Sequence, residues 1–189
     1  MEYRAFLHDL YHIVWHFVPT LCAAASRIDD RFRNVRYELY ERVEEEKNHE
    51  TWVLEDIEAV GGDVDRVRNL LPSDPTQCMI AFNYFCAERG HPCSILGMLY
   101  SLEVIASAYA ATLSQSIAKS LDRDMDGPGF RFLLSHSAMD QDHVAKLNAL
   151  VKTIDDPVAQ QAIINATRVN FYQFGRMFYE GGFITLVAD

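Results

Sequence analysis

The chain has 189 residues, 49% of them hydrophobic, a length and apolar content that suit one domain, 1–189, with a packed core. Its 17 Lys and Arg stand against 27 Asp and Glu, for a net charge of −10, and no basic cluster interrupts that balance, so neither nucleic acid nor a membrane surface is an expected partner. Four cysteines, Cys22, Cys78, Cys86 and Cys93, form no CxxC pair; this speaks against a disulfide framework or a Cys-rich zinc site and fits a reducing, cytoplasmic setting.

Apolar residues recur at three- and four-residue steps, and alternating segments with Asn-Gly or Asp-Gly turns are missing, so the expected fold is an all-α single helical bundle. The first helix is predicted from Glu2 to about Ile28, with a kink at Pro19. Within it Ile13 to Ala25 resembles a short signal-peptide core, but His16 and Pro19 interrupt the run and Glu2 and Asp9 stand where a basic leader belongs, so a core helix is expected. The second runs from about Arg31 to Val60, stopped by Gly61 and Gly62. A short piece follows near Val64 to Asn69. The third covers about Thr76 to Arg89, ended by Gly90, His91 and Pro92, and the fourth about Ser94 to Leu121, ended by the polar run Asp122 to Gly129. The fifth spans about Phe130 to Thr153. The sixth spans about Pro157 to Tyr179, with Pro157 suited to a first helical turn. No run of about 18 uninterrupted apolar residues occurs.

Three of these helices carry groups that call for a metal. The fourth is apolar nearly all round from Gly97 to Ala111 except for Glu103, and a buried carboxylate costs several kcal/mol unless it is protonated, paired or metal-bound. A tyrosine or a buried arginine would satisfy it as well as a metal would. On the fifth helix His136, Asp140 and His143 stand at i, i+4 and i+7, one stripe about two turns long, and two imidazoles with a carboxylate suit iron, manganese or zinc. On the second, Glu46 and His49 form a Glu-x-x-His pair of the kind used by di-iron carboxylate bundles, and Trp52 and Val53 turn His49 toward the core. An acidic run such as Glu44-Glu45-Glu46 is by itself more often a solvated face. Together the three motifs supply enough donors for two metal ions, with Glu103 as the bridging carboxylate.

On Glu45-Glu46-Lys47-Asn48-His49-Glu50, on Glu103 lying 54 residues after His49, and on the His136-x3-Asp140-x2-His143 triplet 33 residues after Glu103, the chain resembles the heme-oxygenase-like diiron oxidases and oxygenases, relatives in fold of thiaminase II and PQQ synthase. The resemblance implies a non-heme diiron oxidoreductase with two iron ions (Fe2+/Fe3+) and dioxygen as cosubstrate. Glu46 and His49 would serve one iron, His136, Asp140 and His143 the other, and Glu103 would bridge them. It further implies a small organic substrate, amino-acid-derived or fatty-acid-like, in natural-product biosynthesis, and leaves room for an external electron donor and a homodimer. The family places the carboxylate before the histidine variably, so Glu45 or Glu41 could replace Glu46. The competing readings are a metal-independent or thiaminase-II-like enzyme, which needs a cysteine nucleophile, and a ligand-binding helical protein. His8, His12 and His16, four residues apart on the first helix, are candidate heme ligands, but no Gly-rich helix is evident to make room for a porphyrin.

Overall fold

The computed structural model describes residues 2–180, except for the side chains of Glu2, Met139, Asp140 and Gln141. Every regular element in that range is helical: α1 (Glu2–Ala25), α2 (Arg33–Glu46), α3 (His49–Ala59), α4 (Val64–Asn69), α5 (Asp74–Glu88), α6 (Ile95–Ser120), α7 (Arg131–Val151) and α8 (Pro157–Glu180), with 3-10 turns at Asp30–Phe32 and Pro92–Ser94. The glycine stop signals fall where expected. Gly61, with φ +72, follows α3, and its N–H closes on the Glu58 carbonyl, a backbone shape that lacks a Cβ penalty only for glycine.

The predicted second helix is two. After Glu46 the chain leaves helical geometry at Lys47 (ψ 135) and turns through Asn48 in the left-handed region (φ 71) before α3 begins at His49. Asn tolerates that region better than other non-glycine residues. The Asn48 carbonyl then accepts from the Thr51 N–H and hydroxyl, which starts the new helix.

Apolar burial orders the rest. Leu7, Leu21 and Ala24 of α1 are fully buried, so this segment, Pro19 included, is a core helix in the bundle. One cluster joins Leu7 and Leu10 of α1 to Val53 and Ile57 of α3, Phe130 and Phe132 at the start of α7, and Phe174 of α8. A second joins Leu21 and Ile28 to Leu39 of α2 and to Leu96 and Leu99 of α6. Leu102 of α6 packs against both. α6 is the central element and lies mainly on α7 and α8. It touches α8 without side-chain spacing at Gly97, where a Cβ would come within 2.4 Å of the Ile163 carbonyl oxygen. With its preceding turn this segment, Pro92–Ser120, is long and apolar enough by composition to cross a membrane; 56% of its most apolar window is buried inside the bundle, as for a core helix. A reciprocal amide pair, Asn83 with Asn170 at 2.8 and 3.0 Å, fastens α5 to α8 in the interior.

Candidate metal centre

Glu46 is the last residue of α2 and His49 the first of α3, so the break at Lys47 and Asn48 brings the pair together where a continuous helical stripe was expected to do so. His49 Nδ1 lies 2.9 Å from Glu46 Oε2, and His136 Nε2 of α7 approaches the same oxygen at 3.5 Å. The donor atoms of Glu46, His49 and His136 all lie within 4.8 Å of one another, and all three residues are buried. Burial raises the Glu46 carboxyl, but hydrogen bonds from His136 and His49 and their charges outweigh it and hold it at about 2. A permanently ionised carboxylate with two imidazoles aimed at one point is a donor set that a borderline divalent cation accepts.

The imidazoles are held from behind. His136 Nδ1 lies 3.0 Å from the Phe132 carbonyl oxygen, which can only accept, so Nδ1 donates to it and Nε2 is the ring nitrogen turned toward Glu46, the one a metal ion would take. The Phe132 ring stacks on His136 with centroids 4.0 Å apart. His49 stacks on Trp52 at 3.9 Å and meets His136 edge-on at 5.0 Å, while the Arg131 guanidinium covers Trp52 at 4.8 Å.

Asp56 sets the two ligand-bearing helices in register. It lies two turns beyond His49 on α3, is buried, and accepts from the Arg131 and Phe132 N–H groups at 2.9 Å each, capping the N-terminus of α7 one turn before His136.

Glu103 is buried, and its Oε1 lies 3.2 Å from Nη1 of Arg42, which is only 1% exposed. Arg42 also pairs with Glu38 at 2.9 Å and Glu45 at 3.6 Å. His143 Nε2 lies 3.5 Å from Glu45 Oε2. His136 and His143 therefore point to different carboxylates. Seven residues separate them, a rise of about 10 Å along a helix, too far for one ion to hold both. The side chain of Asp140 lies outside the described residues. Of the three acidic candidates on α2, Glu46 faces the imidazoles, Glu45 is exposed beside His143, and Glu41 is exposed.

Arg42 and Asp56 were missed in the sequence. For Arg42 a signal existed: Val35, Leu39, Arg42 and Glu46 are the buried residues of α2, spaced 4, 3 and 4 apart, so the guanidinium rides on the inward stripe. Asp56 left no local signal, because the N–H groups it caps lie 75 and 76 residues away.

A cavity of about 110 Å3 opens beside Glu46, Glu103 and His136. Its walls include Leu10, Ile13, Leu102, Ile105, Leu133 and Phe174, with the exposed Tyr109 at its rim, and no Lys or Arg lines it among the described residues. The first-helix histidines are otherwise engaged: His8 and His12 contact the Leu70 and Val67 carbonyls at 3.3 and 3.1 Å, and His16 the Tyr84 hydroxyl at 3.2 Å. Cys86 and Cys93 are buried, as expected of small core residues, and burial pushes both thiols up, Cys93 to about 12; Cys22 and Cys78 are exposed. A thiol so raised supplies almost no thiolate near neutrality.

Fold and site together define a heme-oxygenase-like helical bundle with a buried carboxylate–imidazole centre. The sequence matches the family described as iron-containing redox enzymes over residues 4–171, and the chain belongs to that family. It is a redox enzyme of the iron-containing kind. Among solved structures it is similar to a domain of unknown function with a heme oxygenase-like fold from Shewanella denitrificans OS217, at a TM-score of 0.85 and 21% identity, covering 95% of this chain and 77% of that one. No curated protein sequence matches the chain.

Proposed function

We propose that the protein is a non-heme diiron oxidase or oxygenase that uses dioxygen to oxidise a small organic substrate bearing an apolar group. The observation that carries this reading is the convergence of Glu46, His49 and His136, three buried donors from three helices. These residues would hold one iron. Glu103, His143 and, from the sequence, Asp140 would hold the second. When bound, the irons supply the electrons with which dioxygen is reduced.

The chain's own contribution is positioning and exclusion. The Phe132 carbonyl holds the His136 ring by its Nδ1–H, which leaves Nε2 as the nitrogen a metal ion would take. Glu46 stays ionised throughout the neutral range, so it acts as a ligand and not as a proton donor. The apolar cavity abuts the same glutamate, which supports a reading in which a substrate C–H bond would lie beside the metal side with bulk water kept off it. An engineered apolar cavity of ~150 Å3 takes benzene, so this one suits an alkyl or aryl group of about four to six carbons. Lacking a cationic wall, it favours the fatty-acid-like end of the expected substrate range over a zwitterionic amino acid, with any charged group left at the Tyr109 rim. Burial and the raised thiols disfavour Cys86 and Cys93 as the nucleophile that a thiaminase-like route needs.

Anaerobic loading of metal-free protein with ferrous iron, followed by oxygen, tests the assignment. Bound iron and a transient visible absorption on oxygenation are expected, both lost in His136→Ala. Iron binding that His136→Ala leaves intact, or the absence of any oxygen-dependent change in iron-loaded protein, would refute it.

A further inference from the structure

Among the described residues Arg42 is the most deeply buried cation, and it lies where the second cation of the proposed centre would act. Its side chain is 1% exposed. Three carboxylates surround it: Glu38 and Glu45 from its own helix, at 2.9 and 3.6 Å, and Glu103 from α6 at 3.2 Å. From α7, His143 Nε2 faces the same Glu45 at 3.5 Å. One guanidinium thus engages Glu103, the carboxylate that a second iron would need, and Glu45, the carboxylate beside the second-iron histidine. Only Nε, donating to Glu38, is held by a directed hydrogen bond; Nη1 and Nη2 are buried and make none. Arg42 is anchored to Glu38 and rests against Glu103 and Glu45 through charge alone. Such a contact yields to a cation that offers Glu103 direct coordination.

We infer that Arg42 is an internal stand-in for the second metal, so that the centre fills in two unequal steps: the first ion enters at Glu46, His49 and His136 without disturbing Arg42, and the second binds only as Arg42 releases Glu103. This inference rests on the proposed metal centre. It gives Arg42 a positioning role, because it holds Glu103 in place until the second ion arrives. The charges agree with this order. Three carboxylates around one guanidinium leave a local excess of negative charge that further favours a cation.

Calorimetric titration of metal-free protein with Zn2+ separates the steps, since zinc accepts the same nitrogen and oxygen donors and does no redox chemistry. Wild type is expected to bind one equivalent at least tenfold more tightly than the second. In Arg42→Gln the second affinity is expected to rise at least tenfold while the first changes little. Because removing a buried cation among carboxylates can unfold the chain, a second readout uses wild type only: the Arg42 Nε–H resonance in 15N-arginine-labelled protein. It should stay unchanged through the first Zn2+ equivalent and shift or exchange away during the second. Two equivalents of equal affinity with an unmoved Nε–H signal, or a second affinity that does not rise in folded Arg42→Gln, would overturn the role of Arg42 and leave the first site standing. Absence of any Zn2+ binding would overturn both this inference and the proposed centre.

Discussion

Asp56 offers the most direct measure of how the fold holds the centre in shape. Asp56→Ala removes the acceptor for the Arg131 and Phe132 N–H groups, each bonded at 2.9 Å. Loss of a helix N-cap costs about 0.5–2 kcal/mol. The Phe132 N–H also becomes a buried donor without an acceptor, for a further ~1–3 kcal/mol. A total of about 2–4 kcal/mol is expected, a large fraction of the ~5–15 kcal/mol of a typical domain. At ~2–4 °C per kcal/mol for this chain length, the melting temperature of metal-free protein should fall by roughly 5–15 °C. Burial raises the Asp56 carboxyl, with the backbone N–H donors pulling the other way, so the ionised form carries a net penalty in the folded protein. Asn is neutral but offers one acceptor oxygen where Asp56 uses both, so it keeps one of the two bonds and should fall between wild type and Ala. Because Asp56 ties α3 to the first turn of α7, the Ala variant should also bind metal about 10–100-fold more weakly, as for other groups that orient ligands. Urea unfolding of the three proteins, with metal titration in parallel, decides the matter. The reasoning fails if Asp56→Ala unfolds within 0.5 kcal/mol of wild type, or if Asn is as damaging as Ala.

Three other substitutions probe separate links. Glu103→Gln keeps the shape but takes the carboxylate from Arg42, so metal-free protein should lose about 1–3 kcal/mol in urea unfolding; unchanged stability would show that the Arg42 contact contributes nothing. Ala106→Phe projects a ring into the apolar cavity, and it should leave iron stoichiometry intact while weakening binding of short alkyl or aryl probes at least tenfold; unaltered binding would remove that cavity as the substrate pocket. Gly97→Ala sets a methyl against the α8 backbone and should cost about 1–3 kcal/mol by overpacking, read as a lower midpoint in urea; a neutral result would mean that α6 and α8 separate freely.

The bundle and its limits were legible because helices announce their ends: glycines follow α3 and α5, and Pro157 opens α8. The break at Lys47 and Asn48 was not, since Glu-Glu-Glu-Lys favours helix and no Gly or Pro marks the turn; only tertiary packing makes a left-handed Asn worth its strain there. Glu103 stood out as a charge in an apolar helix. Its arginine did not, although a buried arginine is one alternative to metal, because Arg42 lies in a stretch so polar that it reads as a solvated face. The triplet on α7 was visible as one stripe, yet a stripe two turns long reaches two places, Glu46 through His136 and Glu45 through His143. Periodicity tells which residues share a face. It does not tell how far along that face each finds its partner.

The centre is asymmetric, and α6 accounts for the asymmetry. Around Glu103 the same helix presents Leu102, Ile105 and Ala106 to the cavity and the carboxylate itself to Arg42. Apolar walls thus lie on one side of the Glu46, Glu103 and His136 group, and a network of buried charge lies on the other. Within a low-dielectric pocket an unbalanced charge is costly, so the cations have to sit on the charged side and an uncharged substrate group on the apolar side. The close approach of α6 to α8 at Gly97 fixes the height of Glu103 two turns later, and the Asp56 cap fixes that of His136. Metal and substrate then meet at Glu46, the one carboxylate among the described residues that touches two imidazoles and also lines the cavity. A change that moves either helix by a fraction of an ångström should therefore disturb metal affinity and substrate binding together. A change confined to the cavity wall, such as Ala106→Phe, should disturb the second alone.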